Sequence, residues 1–323
     1  MKKGLLKFLK VGIPIGIGVA LIWFSLSKMG PDSRAALWEN IKTADPFWIG
    51  VSLLLGFVSH FIRAYRWKYL LEPLGCHPRL ANSFMAVMVA YVANLGIPRS
   101  GEVLRAVTIA RYEKVRFEQA FGTIISERVA DLILLITVVA TAFALQSGNL
   151  LNYFESQQVN PLWAVLAIAI GFAGLLIAIR VIRYSKNRLL QKINTFLLGI
   201  LDGTKSILKM KRKGAFIFQT LLIWIFYILM FWVIKYAVPN MEETPWGTIM
   251  VAFVAGSFSM STTNGGLGIF PYPLIIGAVF AFSGIPQEQG EAYGWVIWGS
   301  QTVLNIIIGG ASFLLLPILN AKK

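Results

Sequence analysis

The chain has 323 residues, 56% of them hydrophobic and 14% charged, with a mean hydropathy of +0.66; soluble globular domains carry about 25% charged residues, so an ordinary soluble enzyme is excluded. Thirty Lys and Arg against 15 Asp and Glu give a net charge of +15, which in so apolar a chain reads as loop charge facing anionic lipid and not as nucleic-acid binding. The single cysteine, Cys76, rules out an intramolecular disulfide, and with only His60 and His77 beside it no metal site and no cofactor is expected.

Apolar stretches of about 18 residues or more fall near 11–27, 46–62, 80–97, 120–145, 161–179, 214–237, 247–262, 267–284 and 291–317. The first follows Lys2, Lys3, Lys7 and Lys10 and resembles a signal peptide. Trp23, Phe24 and Lys28 close it where a small-residue cleavage site is needed, so it reads as a retained helix in which Gly12 and Gly16 suit close packing. A loop follows it, and the second stretch ends at His60, Arg63 and Arg66. His60 and Arg63 share a helical face and could extend a phosphate path, whereas Arg66 and Trp67 read as interface anchors.

Lys and Arg of short loops stay cytoplasmic, which constrains the third stretch. If 80–97 crossed, Arg99, Arg105, Arg111, Lys114 and Arg116 of the loop 98–119 would lie outside, and the ten basic residues of 180–213 would follow them. The stretch is therefore expected to be re-entrant, dipping in from the cytoplasm and returning, with Asn82, Ser83, Asn94 and Gly96 facing protein. Gly96, Pro98 and Gly101 then break the chain beside Arg99, either as a phosphate seat next to a helix start or as a solvated turn, and Glu102 and Arg105 follow.

In 120–145, Glu127, Arg128 and Asp131 place three charges within five residues, and a charge at the centre of a membrane helix costs about 2.5 to 3.5 kcal/mol. Glu127 and Asp131 share a face and Arg128 reaches Asp131 at i,i+3, giving either a staple between helices or the lining of a polar path. The stretch 161–179 returns inside, 186–209 patterns as an in-plane interfacial helix, and 214–237 goes out again. The segment 247–284 either crosses twice or forms a second re-entrant hairpin, broken near Asn264, Gly265, Gly266, Gly268 and Pro271, and 291–317 brings the chain back in. This map places both termini and 25 of the 30 Lys and Arg in the cytoplasm. Trp23, Trp48, Trp163, Trp232, Trp246 and Trp295 fall near helix ends as an aromatic belt. The two broken elements echo each other in outline, which is the pattern of an inverted-repeat transporter. The Gly-Gly-Leu-Gly string follows no strand and is no dinucleotide fingerprint.

Four pieces carry a resemblance: Arg63-Ala-Tyr-Arg66-Trp67, the turn from Pro98 to Arg105, Glu127-Arg128 with Asp131, and Gly265-Gly266-Leu267-Gly268. Together they resemble the lysylphosphatidylglycerol synthase transmembrane region, or flippase-like domain, family. The resemblance covers essentially the whole chain, 1–323, as one integral-membrane domain. It implies an all-α polytopic protein of a bacterial or archaeal inner membrane, with about eight transmembrane helices plus re-entrant elements, whose larger relatives translocate an aminoacylated phospholipid made by a fused domain. The 323 residues leave no room for that domain, so lysyl transfer is not carried over.

The expected function is translocation of a phosphate-bearing lipid, a phospholipid or a polyprenyl-phosphate-linked one, along a path lined by Arg63, Arg99, Glu102, Arg105, Glu127, Arg128 and Asp131. Arg99 and Arg128 would bind phosphate, and the acids would hold them or accept a proton. No P-loop is present for direct use of ATP. The alternatives are a structural or regulatory membrane subunit, working with a protein partner or as a homo-oligomer, and an integral-membrane lipid-modifying enzyme, for which histidines and long outside loops are lacking.

Overall fold

The computed structural model describes residues 30–97, 99–145 and 210–321, with isolated positions between 20 and 27 and between 174 and 191. The stretches 161–179 and 186–209 and most of 11–27 fall outside these, as do Gly12, Gly16, Pro98, Trp163, Lys322 and Lys323. Among the described residues the regular structure is helical: α1 Pro31–Lys42, α2 Pro46–Leu71, α3 Leu80–Gly96, α4 Ser100–Glu113, α5 Phe117–Leu145, α6 Lys213–Trp232, α7 Trp246–Thr262, α8 Tyr272–Phe282 and α9 Gln287–Leu319. Among the described residues four helical segments are long and apolar enough to cross a membrane, namely Pro46–Leu74, Phe117–Leu145, Lys213–Tyr236 and Gln287–Leu319. Their outer faces are apolar as lipid requires: Leu132, Ile133, Ile136 and Phe143 of α5 and Ile307, Phe313, Leu314 and Ile318 of α9 are all exposed.

Helix starts follow local chemistry. Asp45 caps α2 by accepting the Phe47 amide at 2.8 Å, with Pro46 at the first helical position, where its missing N–H costs nothing. Ser52 then donates to the Met230 carbonyl at 2.8 Å, and Gln301 donates to the Ser52 carbonyl at 3.1 Å, which ties α2, α6 and α9 together.

Two readings need correction. Residues 98–119 are not a loop, since α4 occupies Ser100–Glu113 and packs back along α3. The base of this hairpin is closed by Glu113, which accepts from the Asn82 amide at 2.6 Å and from the Arg79 N–H at 3.1 Å. Its two ends therefore lie side by side, the geometry a re-entrant element needs, with α4 as the returning limb. Cys76 is buried at the same base, and burial, reinforced by Glu113, pushes its thiol pKa up, as for an inert core thiol. The loop expected after residue 27 also contains a helix, α1, which packs on α9 and buries Leu37.

The segment left open between two crossings and a hairpin is a pair of short helices. The 11 residues of α8 span ~16 Å at 1.5 Å per residue, about half of a hydrocarbon core, so α8 is too short to cross on its own. The turn between α7 and α8 needs glycine: Gly265 and Gly266 have φ of +59° and +89°. It meets the turn of the first hairpin directly, because a Cβ at Gly265 would lie 2.5 Å from Leu95 Cδ2. Trp298 of α9 locks the contact by donating to the Gly265 carbonyl at 2.7 Å.

Candidate functional site

The charged residues of α2, α4 and α5 converge on one buried cluster. Glu127 is fully buried at its centre. Its Oε1 lies 2.8 Å from Arg63 Nη1, 2.8 Å from Arg66 Nη2 and 3.4 Å from Arg128 Nη2, while Oε2 lies 3.0 Å from Arg105 Nη2. Asp131, one helical turn on, faces Arg63 at 2.9 Å, Arg128 at 2.8 Å and Arg66 at 3.4 Å. The i,i+3 pair of Arg128 with Asp131 is formed. Every carboxylate oxygen of the two acids thus faces a guanidinium, as buried charges require.

Arg66 corrects the sequence reading. It is no interface anchor but one of the largest fully buried side chains, and it also donates to Thr220 of α6 at 2.6 Å. Trp67 is buried too: its indole N–H donates to Thr123 at 2.9 Å, and the Arg105 guanidinium lies over its ring, 3.9 Å from the centroid. A guanidinium over an indole face is held in an apolar setting without using its donors. Sequence reasoning missed Arg66, yet a signal exists. Arg63 and Arg66 stand three apart on α2, Glu127 and Asp131 four apart on α5, and each spacing keeps its pair on one helical face.

The cluster opens into a small cleft of about 50 Å³ lined by Arg63, Tyr91, Asn94, Glu102, Arg105 and Arg128, with Val87, Ala90 and Ile124 as its apolar wall. Three arginines reach this cleft while Arg66 stays behind it. Arg128 is the open one, with 44% of its side chain exposed. The Nε groups of Arg63 and Arg105 are shielded from solvent and have no hydrogen-bond partner among the described residues. Asn94 fixes the cleft's edge by accepting the Gly101 N–H at 2.7 Å, across a contact so close that a Cβ on Gly101 would sit 2.2 Å from the Ala90 carbonyl oxygen. At the back, Tyr91 and Tyr227 share a 2.9 Å hydrogen bond and Tyr91 packs on His60, with ring centroids 4.2 Å apart. His60 thus stands behind the cleft wall.

The remaining sequence candidates lie elsewhere. Arg99 is exposed at the N-cap of α4 with φ +60° and is not among the cleft's lining residues. Gly96 is exposed beside it, and Pro98 lies outside the described residues. Asn264, Gly265, Gly266, Gly268 and Pro271 form the second turn: Asn264 and Leu267 exchange backbone hydrogen bonds, Gly268 packs on Thr263, and Pro271 caps α8. That turn touches the first hairpin through Leu95, the residue after Asn94.

This fold and this cluster define an all-α, multi-pass membrane protein with a buried arginine–carboxylate network open to a cleft. The chain belongs to the lysylphosphatidylglycerol synthase transmembrane region family, whose sequence profile matches residues 11–309. It is similar to a UPF0104 membrane protein of Methanocaldococcus jannaschii, 22% identical over 96% of both chains. A second UPF0104 membrane protein, from Methanothermobacter thermautotrophicus, is 25% identical over 38% of this chain and 36% of its own. No solved structure is significantly similar to the chain.

Proposed function

We propose that the protein is a lipid translocase of the inner membrane, not an enzyme, and that it moves a phosphate-bearing lipid, a phospholipid or a polyprenyl-phosphate-linked one. The head group enters the cleft while the tails stay in the bilayer. One observation carries this reading: four guanidiniums face two carboxylates in the cluster, a surplus of two positive charges, and three of the four line a cleft with donors to spare. A network that only stapled helices would need no surplus, because unmatched buried charge costs stability. Guanidinium forks match phosphate geometry, and a pre-formed set of them exchanges a lipid phosphate's hydration for fixed donors. Cytoplasmic N- and C-termini belong to the same reading, since they follow from the placement of positive charge.

The acids are better suited to holding the arginines than to carrying a proton, because each of their oxygens already faces a cation. The two short hairpins, meeting tip to tip at Leu95 and Gly265, suit a path interrupted at mid-membrane. The test is transport in proteoliposomes of acyl-labelled fluorescent phosphatidylglycerol, followed by quenching with an impermeant reductant. The wild type should move label between leaflets well above the rate of empty liposomes, and Arg128→Ala should slow it by on the order of tenfold through loss of one charge-assisted contact. A wild-type rate equal to that of empty liposomes would overturn the reading.

A further inference from the structure

Among the three arginines of the cleft stands one acid outside the carboxylate pair. Glu102 lies in the first turn of α4, where the helix N-terminus favours a carboxylate. It lines the cleft, and its Oε2 is shielded from solvent with no hydrogen-bond partner among the described residues. A buried carboxylate oxygen without a donor is costly, and here the arginines answer Glu127 and Asp131 instead.

Resting on the translocase reading, we propose that Glu102 is the specificity-determining residue of the cleft, selecting a phosphodiester lipid whose head group carries a hydroxyl or ammonium donor and rejecting bare phosphate monoesters. Two physical arguments converge. The first is charge. With Glu102 ionised, the surplus of the cleft and cluster falls from two positive charges to one, which matches the single charge of a phosphodiester; a monoester approaching two negative charges is over-matched and meets the Glu102 carboxylate as a like charge. The second is hydrogen bonding. A lipid phosphate seated on Arg105 and Arg128 brings its polar substituent into the same small cleft, where a hydroxyl or ammonium group supplies the donor that Oε2 lacks. A head group without one leaves that oxygen unpaired, and sites built to pair a polar group discriminate strongly against analogues lacking it. Hydroxyl-bearing and ammonium-bearing head groups share this chemistry.

The experiment is native mass spectrometry of the full-length protein released from nanodiscs at pH 7.5, with equal amounts of phosphatidylglycerol, phosphatidylethanolamine, phosphatidylmethanol and phosphatidic acid as competing probes. Phosphatidylmethanol has the phosphodiester charge and no donor; phosphatidic acid is the monoester. Wild-type protein should retain phosphatidylglycerol or phosphatidylethanolamine over the other two on the order of tenfold, and the preferred one names hydroxyl or ammonium as the recognised donor. Glu102→Gln keeps the shape and removes the charge, and should bring phosphatidic acid within about twofold. Glu102→Leu removes the acceptor as well and should do the same for phosphatidylmethanol. Each ratio is internal to one folded sample, so a change in yield does not mimic a change in selectivity. Unchanged ratios in both variants overturn the assignment. If the wild type holds all four lipids equally and Arg105→Ala loses them all, the phosphate site stands and the role of Glu102 falls. If neither wild type nor Arg105→Ala differs from bulk lipid, the translocase reading falls with it.

Discussion

The two hairpins share an outline and differ in chemistry. Each begins with a 17-residue helix, α3 or α7, turns at a break, and returns through a shorter helix. The first, residues 80–113, carries Arg99, Glu102, Arg105, Arg111 and Glu113, whereas the second, residues 246–282, carries no charged residue. The first presents Asn94, Glu102 and Arg105 to the cleft. The second contributes close backbone approach, through two left-handed glycines that pack on Leu95 and Trp298. One backbone plan thus serves two ends: side chains that recognise a head group on one hairpin, and a glycine turn that fixes where the first one ends on the other.

The sharpest break of this comparison is Arg66→Ala. It strips two carboxylates and Thr220 of a fully buried partner and should cost about 3–5 kcal/mol, read as a lower unfolding midpoint in mixed micelles; a midpoint unchanged from wild type would show that Arg66 is dispensable to the network. The two turns come next, as a matched pair. In Gly101→Ala the new Cβ meets a backbone carbonyl that cannot swing aside, and the expected loss is about 1–3 kcal/mol. In Gly265→Ala the nearest atom is the mobile end of Leu95, leaving mainly the left-handed backbone cost of about 1–2 kcal/mol. The same unfolding measurement ranks them, and the reverse order would mean that the second turn is the more tightly packed. Smallest is Trp298→Phe, which deletes the indole donor to Gly265 for about 0.5–1.5 kcal/mol. It should raise hydrogen exchange at the second turn while leaving the base of the first hairpin, held by Asn82 and Glu113, protected as in wild type.

Much of the fold is legible in the sequence because a membrane helix must satisfy its own backbone and show apolar side chains to lipid, so its position is written in local composition. Seven of the nine apolar stretches correspond to described helices: four to helical segments long enough to span and three to shorter ones. The re-entrant reading had 80–97 alone dip in and return with Arg99 on the cytoplasmic side; instead 80–96 is a single helix, Arg99 sits at the far turn, and α4 makes the return to a base closed at Glu113. Illegible were α1 and α4, whose composition is near neutral and whose helicity comes from packing on α9 and on α3.

For the candidate site, the sequence picked out residues by cost. Glu127, Arg128 and Asp131 are too expensive in a membrane helix to lack partners, and Arg63 and Arg105 stand beside breaks in apolar stretches. It misplaced Arg66 because a basic residue before a tryptophan at a helix end has the same local signature whether it anchors at the interface or folds inward. It favoured Arg99 over Arg105 as a phosphate ligand, whereas Arg105, six positions on, is buried against Trp67 at the cleft and Arg99 is exposed at the turn.

The sequence by itself therefore determined the class of protein, its apolar segments, its family and the inventory of charges that need an answer, because all of these are local or additive along the chain. Only the tertiary structure decided which charges answer each other. The Arg63–Glu127 and Arg66–Asp131 contacts span 64 and 65 positions, Arg66–Thr220 spans 154, and the contact of Leu95 with Gly265 joins two turns far apart in the chain. Pairings at such separations leave no periodic trace in composition; they are fixed by how helices pack, and that packing sets three arginines and a Glu102 carboxylate oxygen that faces no donor among the described residues around a single cleft.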